Sequence, residues 1–227
     1  DRIFSEIIQS ENINVELLKE LWSDVIDTTL LSTESHERKA LAFKLISKVL
    51  QRVDSQHVLT ILSRDALRCL ANNHASKDTY LHEPSVGLVN TILKSAGRNM
   101  NFRMAIVTSI LTNGPTNFDK KSNSTILGDL VEGLDADAVG SYLTSVANSL
   151  IHPELEEIAS NGGFLELESD DEKHERIRAR RMWAIDAMVA AARPNSRLAQ
   201  SEEVTKQVLY RLMLLAFFTP SKSKNIK

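Results

Sequence analysis

RCLANNHASKDTYLH, residues Arg68 to His82, closes one helix and opens the next. Ala66, Leu67, Leu70 and Ala71 recur at the three- and four-residue spacing of a single helical face, and Asn72-Asn73 reads as the end of that helix. Ser76 or Asp78 is then placed to accept the free amides in the first turn of the following helix. Such a segment is the corner of an αα-hairpin. Pro84 fits the same reading, because in a first turn its missing amide has no partner to lose.

Outward from this corner the periodicity stays helical, with no alternation of period two and so no expected sheet. Asn14 is placed to cap a helix carrying Leu17, Leu18, Leu21, Trp22, Val25 and Ile26, and Thr33 or Ser35 a long one through Phe43, Ile46, Val49, Leu50 and Val53. Further helices are predicted near 56–62, 64–73, 83–96, 101–112, 123–132, 136–151, 172–193 and 201–218, with Gly97, Gly114-Pro115, Gly133, Pro153, Gly162-Gly163 and Pro194 between them. Several are apolar on more than one stripe, as a helix must be when it packs on its hairpin mate and on the next pair. The predicted fold is therefore all-α, a HEAT/armadillo-like α-solenoid of stacked antiparallel helix pairs, although the repeat period is irregular. It spans residues 1–220, interrupted by a flexible acidic loop near 159–171 and followed by a basic linker tail, 221–227. The last helix is apolar on all sides from Leu212 to Phe218, so Leu212, Leu215, Phe217 and Phe218 are expected to be covered by a further part of the same chain.

Composition narrows the class. With 227 residues the chain is long enough to bury about 70% of its unfolded surface without staples. Cys69 is the only cysteine, which excludes an intrachain disulfide and a thiolate zinc knuckle and fits a reducing compartment. No stretch approaches the ~20 apolar residues of a membrane span, and the start, Asp1-Arg2-Ile3-Phe4, reads as that of a piece excised from a longer soluble protein. A net charge of −3 argues against nucleic-acid binding by the whole surface, so any such contact must be local.

Three segments carry a resemblance. Arg68-Cys69-Leu70 with Lys77-Asp78 and Tyr80-Leu81-His82, then Gly114-Pro115-Thr116-Asn117-Phe118-Asp119-Lys120, then Arg181-Met182-Trp183-Ala184-Ile185-Asp186 with Ala216-Phe217-Phe218, together resemble, in the same order, the DNA polymerase phi family, the Pol V or Myb-binding-protein group of nucleolar proteins. Arg38-Lys39-Ala40-Leu41-Ala42 is a fainter echo. The chain departs from the family where basic residues usually follow the aspartate and the histidine of the first motif, having Thr79 and Glu83-Pro84, and where a histidine usually precedes Ala-Phe-Phe, having Leu215. The resemblance implies a non-enzymatic nucleolar scaffold, built as a helical repeat and acting in ribosomal RNA transcription and ribosome biogenesis. Its implied partners are proteins of the rRNA transcription or pre-ribosome machinery and rDNA or rRNA, with no membrane. The alternatives are a nucleotidyltransferase, as the family name suggests, or a transport or regulatory HEAT-repeat adaptor unrelated to ribosomes.

The residues themselves offer little bond chemistry. A polymerase needs carboxylates gathered around two metal ions, and Asp170-Asp171-Glu172 is instead read as a hydrated helix start, favoured there by the helix dipole. Cys69, His74 and His82 match no zinc module, and Cys69 sits mid-helix, away from anything that would hold a thiolate. No catalytic residue, metal ligand or cofactor is expected. One surface remains: at 100° per residue Lys173, Arg176, Arg180 and Trp183 share a helix side opposite an apolar stripe of Ile177, Ile185, Met188, Val189 and Ala192. That ridge suits phosphate or an acidic partner. The plainer reading, which we prefer, has Trp183 packed in a second helix interface and the arginines paired with the acids before them.

Overall fold

The computed structural model describes residues 15–151, 170–191 and 202–217, and all regular structure in them is helical. α1 (Val15–Leu21) runs into a π-helical stretch, Trp22–Leu31, along which Leu18, Trp22, Ile26 and Leu30 fall on one buried face. The indole of Trp22 is completely enclosed and donates to the Ile61 carbonyl at 3.0 Å, which removes the cost of burying its N–H. Ser35 caps α2 (His36–Leu50) through the Arg38 amide, while Thr33 accepts from the Ser35 amide just before it. Asn14 lies outside the described residues.

The corner differs in detail from its predicted form. α4 (Arg64–Ala75), capped by Ser63, continues past Asn72-Asn73, where the Asn73 side-chain amide folds back onto the Cys69 carbonyl at 2.8 Å. Neither Ser76 nor Asp78 caps α5 (His82–Ala96); its N-cap is buried Leu81, which makes no side-chain cap bond. The Thr79 hydroxyl instead closes the turn onto the carbonyl oxygens of Asn73 and Ser76. Pro84 falls in the first turn as predicted.

The remaining elements are a 3₁₀ turn Ser55–His57 leading into the single turn α3 (Val58–Ile61), then α6 (Met100–Asn113), α7 (Phe118–Ser122), α8 (Ile126–Glu132), α9 (Ala136–Ile151), α10 (Asp170–Ala191) and α11 (Glu202–Phe217). The helix predicted over 123–132 is thus a shorter one preceded by a separate turn of helix. Elements three apart in the chain pack together, α2 along α5, α3 and the 3₁₀ turn on α6, α4 on α7 and α6 on α9, and α9 packs on both α10 and α11. They enclose one continuous core running from Leu18 to Val208.

α2 and α5 run parallel. The His36 ring lies 5.9 Å from that of Tyr80 at their starts, and Arg98 Nη1 donates to the Val53 carbonyl at 2.9 Å beyond their ends. Both helices have 15 residues, and both begin His-Glu, at His36 and 46 positions later at His82. Burial repeats at the same offset: Ala42, Phe43, Ile46, Val49 and Leu50 answer to Leu88, Val89, Ile92, Ser95 and Ala96.

On α10 the buried track is Ala184, Met188 and Ala191, facing α9, with Ile177 and Ile185 half-buried. Val189, predicted in the apolar stripe, is exposed because it lies one residue, about 100°, off that track. Ala192 lies outside the described residues, as do 152–169, with most of the predicted acidic loop, and 218–227, with Phe218 and the basic tail.

Candidate functional site

The second and third signature segments meet in space. α6 ends where the Gly114 amide donates to the Ile110 carbonyl at 3.0 Å, and a Cβ on Gly114 would stand 2.4 Å from that same oxygen, so only glycine fits. Pro115 and Thr116 lead to Asn117, which takes a left-handed conformation (φ 59°), a region asparagine tolerates better than most residues. Phe118 is thereby driven into the core.

Asp119 follows and acts as a clamp. Its Oδ1 accepts the Leu127 amide at 2.8 Å and its Oδ2 the Gly128 amide at 2.9 Å, so one carboxylate satisfies two free donors at the start of α8. Burial raises its pKa against the pull of those two amides. Asn123, also left-handed (φ 51°), ends α7.

Across from this loop stand Arg180 and Trp183 of α10, which with Ile110, Leu111 and Pro115 line a cleft of about 10 Å³, room for a single water. Both side chains are half-buried, and desolvation disfavours the charged form of the Arg180 guanidinium. Of the predicted ridge, Arg180 and Trp183 are therefore brought together on the 114–118 loop; the side chains of Lys173 and Arg176 lie outside the described residues. Arg178 and Arg181 are exposed.

The first signature segment forms a neighbouring polar junction. His74 Nδ1 donates to the Ser122 carbonyl at 2.9 Å, which ties the corner to α7, and the His82 ring lies 5.8 Å from that of His74, tilted by 51°. Cys69 is half-buried, and burial pushes its thiol pKa up, away from a reactive thiolate. Lys77, Asp78 and Tyr80 are exposed. Among the described residues no group of three His, Cys, Asp or Glu is placed to hold a metal ion, and no helix is long and apolar enough to cross a membrane. The larger open cleft, about 390 Å³ between Leu59 and Met104, carries no titratable group.

Sequence reasoning read 114–120 as a signature and missed its work, the clamp by Asp119. The signal was there, an aspartate eight and nine residues ahead of the two amides it binds, but only the tertiary turn brings them together.

The whole chain, residues 1–227, matches the DNA polymerase phi family and belongs to it. A curated relative, the rDNA transcriptional regulator pol5 of Schizosaccharomyces pombe (strain 972 / ATCC 24843), is 24% identical over 226 residues, which cover 99% of this chain and 22% of the relative. The chain thus spans about a fifth of that relative's length. No solved structure matches it.

Proposed function

We propose that this chain is a helical-repeat segment of a non-enzymatic nucleolar scaffold, acting in the regulation of rDNA transcription and in ribosome biogenesis by holding proteins and nucleic acid. The observation that carries the architecture is the parallel, in-register pair α2 and α5 with its 46-residue offset, which falls in the ~40–47 residue period of HEAT and armadillo repeats. Residues 1–220 then make one HEAT/armadillo-like unit with an acidic loop near 159–171 and a basic tail. Support for the biological role comes from the family and from the S. pombe relative, named as an rDNA transcriptional regulator.

The binding surfaces follow from the same reading. Met182 and Val189 on α10 and Leu209, Tyr210 and Met213 on α11 are exposed, and a following helix pair of the same protein is the partner proposed for them, with Leu212, Leu215, Phe217 and Phe218. Lys173, Arg176, Arg180 and Trp183 form a second proposed surface, toward nucleic acid or an acidic partner, with Trp183 and Arg180 also bracing the 114–118 loop. A crosslinking map of the full-length protein in cells tests the proposal: adducts to pre-rRNA or rDNA and to transcription or assembly proteins are expected, and adducts confined to transport factors outside the nucleus would refute it. Metal-dependent nucleotide incorporation abolished by Asp170→Asn with Asp171→Asn would instead establish the enzyme.

A further inference from the structure

The parallel helices α2 and α5 gather cations at one end. Lys44 and Lys48 are exposed one turn apart on α2, Lys94 stands on α5 at the position equivalent to Lys48, and Arg52 and Arg98 are equivalent just beyond the two helix ends. Arg98 is pinned there, donating to the Val53 carbonyl beside Arg52 and lying 4.5 Å over the Phe102 ring. Within residues 44–56 and 90–104 the only carboxylate is Asp54, whereas exposed Gln51, Gln56, Asn99 and Asn101 add neutral amides. None of Lys44, Lys48, Arg52 and Lys94 forms an ion pair among the described residues.

Apart from Asp54, the acids of this pair lie at the opposite end, in Glu34, Glu37, Asp78 and Glu83, where Arg38, Lys39 and Lys77 offset them. Lysines near a helix C-terminus are favoured by the helix dipole, which accounts for Lys48 and Lys94. It does not account for Lys44, nor for the near absence of carboxylates around these cations. The cations recur at about 6 Å along each helix and about 8–10 Å between helices, a spread suited to a polyanion and not to one phosphate group. Arg103 Nη1 reaches the Leu130 carbonyl and joins the start of α6 to the end of α8, which carries exposed Glu132.

We infer that the exposed ends of α2 and α5, through Lys44, Lys48, Arg52, Lys94 and Arg98, bind the phosphate backbone of nucleic acid without reading its bases. Choosing nucleic acid over an acidic protein rests on the proposed role in rDNA transcription; the surface itself rests on charge and geometry alone. The test uses the full-length protein, with a short B-DNA duplex and a single-stranded RNA titrated separately over a series of salt concentrations, so that binding is measured apart from the cellular role. The variant Lys44→Gln, Lys48→Gln, Arg52→Gln, Lys94→Gln leaves the Arg98 bond in place and changes only exposed side chains. Its salt slope should fall by about 0.9 per lost phosphate contact on duplex or about 0.7 on single strands, and the preferred nucleic acid is the one on which more contacts are lost. Lys44→Arg, Lys48→Arg, Lys94→Arg should bind as the parent does, and the glutamine variant should keep the parent's circular dichroism and melting. Unchanged affinity and slope on both nucleic acids would overturn the inference, as would loss of an acidic protein adduct in cells with nucleic-acid binding intact.

Discussion

The loop at 114–119 and the helix pair α2 and α5 hold their shapes in opposite ways. In the loop, identity is dictated atom by atom: Gly114 because a Cβ would meet the Ile110 carbonyl, Asn117 because φ is positive, Asp119 because two amides converge on it. In the helix pair only the pattern is kept. Five buried positions recur at an offset of 46, yet Phe43 answers to Val89, Val49 to Ser95 and Leu50 to Ala96. A helix face accepts any side chains whose volumes sum correctly against their neighbours, whereas a tight turn accepts few residues at each place. The 114–120 signature therefore falls on a turn, where a shared string of residues marks shared backbone geometry and need not mark a catalytic centre.

The largest expected effect breaks the loop side of this contrast. Asp119→Ala strips the acceptor from the Leu127 and Gly128 amides and should lower unfolding free energy by about 2–3 kcal/mol, with one of the two amides open to solvent and so partly rescued by water. Denaturant unfolding followed by circular dichroism measures it. A loss below about 0.5 kcal/mol would place Asp119 with ordinary surface residues.

A smaller effect sharpens the helix side. Ile46 and Ile92 occupy equivalent positions and are 0% and 1% exposed. Ile46→Val and Ile92→Val should each cost about 0.5–1.5 kcal/mol, and by similar amounts if the two helices are true structural equivalents. A marked difference between them in denaturant unfolding would argue that the shared burial pattern conceals different packing.

The same contrast explains what could be read in the sequence. Helix positions were legible because the 3.6-residue period is strong through Phe43, Ile46, Val49 and Leu50 and again through Leu88, Val89 and Ile92, and Pro84 fell where its ring chemistry requires. Caps were half legible: Ser35 bonds as expected, but Ser63 caps α4 with no expectation behind it, and Ser76 and Asp78 were passed over for buried Leu81, because burying leucine outweighs a single surface cap. The separate helix Phe118–Ser122 was missed because only Phe118 of its five residues is apolar and its ends are set by two left-handed asparagines. Of the candidate ridge, the meeting of Arg180 and Trp183 with the Gly114 loop depends on contacts across some 65 residues of chain, which no local pattern encodes.

The smallest effect concerns the junction of the π-helical stretch with α4. Asp27 accepts the Ser63 hydroxyl at 2.6 Å while Ser63 caps α4, and burial raises the Asp27 carboxyl from 3.8 to about 6, against the lowering pull of that hydroxyl. The folded state therefore binds this proton more tightly than the unfolded chain does. Between about pH 4 and pH 6 the folded protein holds more protons, so Asp27 stabilises the fold most at the acidic end and its contribution is lost as pH rises through about 6. Asp27 is only half-buried, and solvent screening cuts the effect well below the unscreened value, to the order of 1 kcal/mol. Asp27→Asn keeps an acceptor for Ser63 and removes the titration, so relative to the parent it should gain stability from pH 4 to pH 7 along that same window. Comparing the two proteins by urea unfolding at each pH cancels Asp119 and every other carboxylate common to both. A parent and variant that track each other across the range would mean that Asp27 titrates as it does in the unfolded chain, and that the Ser63 cap stands without it.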